Sequence, residues 1–108
     1  ALKAKGARVM CLPNAQGKVD LRALVQDLGQ KAINEVHIEA GFKLNGSLLA
    51  VGVVDELLVY LAPLLIGQGL GMASLGTFET LSQALKLKIQ NVTTVGDDVR
   101  LIAHVKGR

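Results

Sequence analysis

Val36-His37-Ile38-Glu39-Ala40-Gly41-Phe42-Lys43-Leu44-Asn45-Gly46-Ser47-Leu48-Leu49 is the stretch on which the fold turns. It reads as a buried strand ending in a carboxylate, then a glycine turn, then the opening of a helix. A helix start leaves its first backbone N–H groups without intrahelical partners. Here those groups fall beside the acidic Glu39. Such a corner can hold a phosphate and a sugar or base hydroxyl together.

Upstream, residues 8–12 form an apolar run that reads as a short strand, stopped by Pro13 and the turn formers Asn14 and Gly17. Asp20 is placed to cap a helix carrying Leu21, Leu24, Val25 and Leu28 at helical spacing, with Gly29 closing it. Strand, helix and strand in this order favour a parallel pair joined by a right-handed crossover. Downstream of Gly41, a second helix sets Leu44, Leu48, Leu49 and Val53 on one side. Residues 57–62 are almost wholly apolar, the pattern of a central strand covered on both faces. Pro63 marks its exit. Residues 66–76 are a glycine-rich loop, and a helical turn is expected at 78–81. Leu85, Leu87 and Ile89 then alternate with Lys86, Lys88 and Gln90, as in a half-exposed antiparallel strand. Gly96, Asp97 and Asp98 turn the chain into a last strand over 99–105, closing a hairpin. The fold class is doubly wound α/β: a mixed sheet with βαβ units, helices on its faces and a C-terminal antiparallel hairpin.

At 108 residues the chain fits one domain, and a domain of this size buries roughly two-thirds of its unfolded surface. Half of its residues are apolar, while Phe42, Tyr60 and Phe78 are the only aromatics. A surface built for stacking on single-stranded nucleic acid is therefore disfavoured. The net charge of +3 gathers at the ends, on Lys3, Lys5, Arg8, Arg100, Lys106 and Arg108. No basic stripe suits a duplex; solvated ends or an anionic small molecule fit better. The single cysteine, Cys11, excludes an internal disulfide and reads as a small buried hydrophobe. No apolar run is long enough for a membrane-spanning helix, and the basic start has no apolar stretch of the signal-peptide kind behind it. A cytoplasmic setting is expected.

Glu39 lies where α/β sheets put ligands, at the carboxyl end of a strand. It can accept from a ribose hydroxyl or a base amino group, or bond nearby backbone N–H groups in a structural role. Gly41 permits a backbone angle closed to other residues and a close ligand approach; Lys43, Asn45 and Ser47 add donors. The alternative is an ordinary turn. Gly67-Gln68-Gly69-Leu70-Gly71 lacks the G-x-G-x-x-G spacing, and no clear helix follows it. A plain connection fits it better than a ligand loop. His37 and His104 have no partners at metal-ligand spacing, and Asp97 and Asp98 are turn formers. No nucleophile–histidine arrangement and no P-loop is present, which disfavours a hydrolase. Hydride transfer fits, because its cofactor carries most of the chemistry.

Glu39-Ala40-Gly41, Leu44-Asn45-Gly46-Ser47-Leu48-Leu49, Val54-Asp55-Glu56-Leu57, Tyr60-Leu61-Ala62-Pro63 with Gly67, and Val95-Gly96-Asp97-Asp98-Val99-Arg100-Leu101 closely resemble the reductase domain of the bacterial riboflavin-biosynthesis deaminase–reductase. The resemblance implies a dihydrofolate-reductase-like fold and NADPH-dependent reduction of 5-amino-6-(5-phosphoribosylamino)uracil, its ribosyl group becoming ribityl. It implies that Glu39 contacts substrate and that Gly41, Phe42, Lys43, Leu44, Asn45, Gly46 and Ser47 cradle the NADPH phosphates. For Asp55 and Glu56 it implies a structural role at the entry to the following strand. It also implies that residues 1–108 are the C-terminal portion of a single reductase domain. The opening lysine-bearing strand with its Ser-Leu-Asp-Gly turn, and the zinc-dependent deaminase half, are expected to be absent from it. A homodimer is expected, with no nucleic-acid or membrane partner. Two other functions stay open: a related reductase acting on another pterin or pyrimidine, and a non-catalytic nucleotide-binding or dimerisation module.

Overall fold

The computed structural model describes residues 1–107; Arg108, counted above among the basic ends, lies outside them. The chain divides into two compact units, Ala1–Ile38 and Glu39–Arg108.

In the first unit a 3-10 turn at Lys3–Lys5 is closed by Gly6. A tight loop follows. The Asn14 carboxamide oxygen accepts from the Gln16 and Lys18 N–H groups, both at 2.9 Å, while Pro13 and Val19 form an isolated bridge. Helix α1 spans Leu21–Gln30, and Asp20 caps it as expected, its carboxylate accepting from the Ala23 N–H at 2.9 Å. Gly29 does not end the helix; it sits inside the last turn. The reversal is made by Ala32, in the left-handed region at φ 61°, with its N–H on the Gly29 carbonyl and the Ile33 N–H on that of Leu28. This pair of bonds is a Schellman motif whose usual glycine is replaced by alanine.

The expected strands at 8–12 and 36–40 form no ladder, so the parallel βαβ unit is absent among the described residues. A parallel pair needs cover on its faces. The first unit offers one ten-residue helix and buries no side chain, and Val9, Met10, Val36 and Ile38 remain about half exposed. Cys11 is exposed for the same reason, contrary to its reading as a core residue.

The second unit holds helix α2 at Phe42–Val51 and three strands: β1 at Glu56–Leu61, β2 at Leu87–Val95 and β3 at Asp98–Val105. The sheet is wholly antiparallel in the order β1-β3-β2. The hairpin is as read, with Val95 opposite Asp98 and Gly96 at φ 60° in the turn. A register shift at Gln90 makes a bulge in the lysine-bearing edge strand β2. The 3-10 turn falls at Leu81–Gln83 rather than 78–81, because Thr80 and Gln83 form a capping box there.

The apolar β1 is not central. Among the described residues it is an edge strand bonded only to β3, with Leu58, Tyr60 and Leu61 exposed at 42%, 52% and 52%. Apolar content marks a surface that seeks cover; it does not count neighbours. The strand ends at Leu61, before Pro63, and the Asp55 carbonyl prolongs the ladder by accepting from the Val105 N–H at 3.0 Å. The core is Leu48 and Leu49 of α2 with Ala103 and Val105 of β3. Gly52, left-handed at φ 74°, ends α2 with its N–H on the Leu48 and Leu49 carbonyls.

Two outcomes in denaturant unfolding follow. Ala32→Gly relieves a left-handed alanine, which costs about 1–2 kcal/mol, and should stabilise the first unit by about 0.5–1 kcal/mol after the entropy of glycine is charged. Leu49→Ala should cost about 2–4 kcal/mol, whereas alanine at the fully exposed Leu65 should change stability by less than about 0.5 kcal/mol.

Candidate functional site

The site lies wholly within the second unit, where the chain passes from Glu39 into α2. Glu39 is exposed at the head of that unit. Gly41 is the helix N-cap in extended backbone, φ −88° and ψ 178°, which any residue can adopt. Glycine is thus not demanded there by conformation, as the sequence reading had it. Nor is it demanded by packing, since a Cβ at Gly41 would have no atom within 4 Å. What glycine leaves is open space in front of the helix.

No side chain caps α2 among the described residues, and its first internal bond runs from the Asn45 N–H to the Gly41 carbonyl at 3.0 Å. The N–H groups of Phe42, Lys43 and Leu44 therefore open the helix without intrahelical acceptors. The partial positive charge of the helix start adds to the exposed Lys43 ammonium. Donors of this kind attract a phosphate.

The second half of the expected cradle faces elsewhere. The Asn45 carboxamide nitrogen donates to the Ala40 carbonyl at 3.1 Å and to the Met72 carbonyl at 2.9 Å. Gly46 is buried, and a Cβ on it would overlap the backbone of Ser74. The Ser47 hydroxyl donates to the Lys43 carbonyl at 3.1 Å, one turn back. Gly41, Phe42, Lys43 and Leu44 thus bound the open corner, while Asn45 and Gly46 meet the glycine-rich loop. The sequence reading took that loop for a plain connection and missed its contact with α2. Its signal was two poor helix formers, Asn45 and Gly46, side by side within a helix.

His104 is exposed on the sheet. Its Nε2 is 2.9 Å from Glu56 Oε2, its cross-strand neighbour, and its Nδ1 is 3.4 Å from the Gln90 amide. Glu56 thereby ties β1 to β3. No group of acidic, histidine or cysteine side chains suited to a metal ion occurs among the described residues. A hollow of about 530 Å³ lies at the other end of α2, between Leu49, Leu75, Phe78, Lys86 and Lys106.

The family described as the RibD C-terminal domain matches residues 2–101. The riboflavin biosynthesis protein RibD of Escherichia coli is 41% identical over 101 residues, covering 93% of this chain and 27% of that protein. The 5-amino-6-(5-phosphoribosylamino)uracil reductase of Buchnera aphidicola is 37% identical over 90 residues, covering 82% of this chain and 44% of that protein. Among solved structures, Acinetobacter baumannii RibD, form 1, superposes with a TM-score of 0.76 at 34% identity, over 82% of this chain and 25% of that one. The chain thus spans about a quarter of the RibD relative and under half of the shorter reductase. It belongs to the RibD C-terminal domain family, whose fold is dihydrofolate-reductase-like.

Proposed function

We propose that this chain is the C-terminal portion of a reductase domain that uses NADPH to reduce 5-amino-6-(5-phosphoribosylamino)uracil to its ribitylamino product. The observation that carries the reading is the uncapped start of α2 behind Gly41, next to an exposed carboxylate, in a chain of this family. The donors at that corner fit a dinucleotide's phosphates: neutral backbone N–H groups, one ammonium, and no side chain in the way. When bound, the nicotinamide supplies the hydride for C1′ of the ribosyl group.

The chain's own part is to bind and orient. Phe42, Lys43 and Leu44 offer their N–H groups to phosphate oxygens, and Gly41 keeps the approach free. Glu39 accepts a hydrogen bond from the pyrimidine substrate and so fixes the carbon to be reduced. Holding two reactants in register supplies much of the acceleration in such a transfer. The open edge of β1, with Leu58, Tyr60 and Leu61 exposed beside it, supports a homodimer. No helix is long and apolar enough to cross a membrane among the described residues, and a cytoplasmic enzyme without nucleic-acid partners fits a net charge of +3 that forms no basic stripe.

Two substitutions in the full-length polypeptide carrying this chain test the reading. Glu39→Gln should lower kcat/KM for the pyrimidine about ten- to hundredfold, the worth of a hydrogen bond to a charged group, with a much smaller change in NADPH affinity; an unaltered rate removes Glu39 from the site. A Cβ at position 41 meets nothing within 4 Å and the backbone there is extended, so Gly41→Val should act chiefly on the ligand. It should weaken NADPH binding at least about tenfold by calorimetric titration, about 1.4 kcal/mol. A wild-type protein that gives no binding heat would refute the NADPH assignment.

A further inference from the structure

The open corner accounts for Glu39 through Leu44 and leaves the glycine-rich segment 66–76 without a task. Four contacts join that segment to the first turns of α2. Asn45 spends both protons of its amide on the Ala40 and Met72 carbonyls, which belong to the two chain segments flanking the helix start. The Ser74 N–H donates to the Phe42 carbonyl at 2.9 Å. Gly46 has no room for a side chain because the Ser74 backbone lies against it, and a Cβ built at Gly71 would stand 3.9 Å from the Phe42 ring. Short of this anchorage the loop is open: a Cβ on Gly69, whose φ is not positive, would meet nothing within 4 Å. Like Gly41, Gly69 lacks a side chain that neither packing nor backbone angle forbids.

We infer that segment 67–73 is the second wall of the dinucleotide site, and that Asn45 is the positioning residue that holds it against the amide-bearing start of α2. This rests on the proposed NADPH reading. Asn45 acts through the Met72 carbonyl and not on the cofactor itself. Its amide is suited to the task because two N–H groups on one planar nitrogen can serve two carbonyls at once, which no hydroxyl can do. Gly46 is the steric half of the same device, setting how closely the Ser74 backbone approaches.

The test is hydrogen exchange combined with NADPH titration and steady-state kinetics on the full-length polypeptide. In the wild type, NADPH should slow exchange of the amides in 67–73. Asn45→Ala should speed exchange at Ser74 and raise the KM for NADPH about five- to tenfold, the worth of one to two net hydrogen bonds. The KM for the pyrimidine should move several-fold less. Asn45→Gln, which keeps the amide, should recover part of the loss. Gly46→Ala removes no polar group yet should give the same NADPH-selective defect by pushing on Ser74. A wild type that does not bind NADPH overturns the proposed function itself. A wild type that binds while 67–73 exchanges unchanged overturns only the wall. Equal changes in both KM values, with no recovery in Asn45→Gln, reduce Asn45 to a fold residue and overturn its positioning role.

Discussion

Because β3 is bonded on both sides, its backbone is satisfied by β1 and β2 together, and its inward side chains Ala103 and Val105 are the strand residues best shielded from water. The buried apolar side chains of α2, Leu48 and Leu49, lie in its C-terminal half. Burial therefore fixes one end of the helix and leaves the other projecting. A helix held by its C-terminal half presents its N-terminal amides wherever the core directs them, and Gly52 stops the helix as soon as the core contact is complete. The open corner at Gly41 is in this sense a consequence of where the apolar residues of α2 fall. Moving them one turn toward the N-terminus would bury the donors.

Projection alone would make a weak anion site, since one helix start offers only a partial charge and a few N–H groups. Two additions sharpen it. Lys43 brings a full charge within the first turn, and it needs no burial to do so. Glu39 then stands just before the helix as an acceptor, opposite in kind to everything after Gly41. A ligand with phosphate at one place and hydroxyl or amino donors at another satisfies both; a simple anion satisfies only the helix. Under the proposed function this asymmetry would favour a pair of reactants over a lone phosphate, and would let an acidic residue sit close to bound phosphate without spoiling the site.

The parts of this fold set by neighbouring residues are legible in the sequence. Asp20 finds the Ala23 amide three residues on, Pro63 ends β1, and Gly96 and Asp97 turn the hairpin. The parts set by distant partners are not. Residues 57–62 are apolar enough for a central strand, yet β3, with an arginine and a histidine in it, takes the centre because it alone pairs on both sides. Residues 36–40 have the composition of a buried strand and no ladder. The missed end of α1 is instructive in another way: Gly29 was the residue best suited to the left-handed position, but the bonds from Ala32 and Ile33 fixed the reversal three residues later. At the candidate site the residue types were legible and their orientation was not: within 39–49 the pairing of Asn45 and Gly46, two poor helix formers, hints at a further contact, but nothing there names a loop more than twenty residues away as the partner.

That resting contact also resolves an oddity of α2. Asparagine competes with the helix backbone for hydrogen bonds and glycine loses the most entropy on ordering, so the two in succession cost about 1–2 kcal/mol relative to alanines. A helix free of other duties would shed both. Here neither can be exchanged without loss: a side chain at position 46 has no space, and at position 45 only a doubly donating amide serves carbonyls 40 and 72 together. The intrinsic cost is offset by contacts formed only once the loop is in place. It follows that the first two turns of α2 and the segment 71–74 order as one piece. The amides at the helix start then gain their fixed direction from the loop as much as from the core.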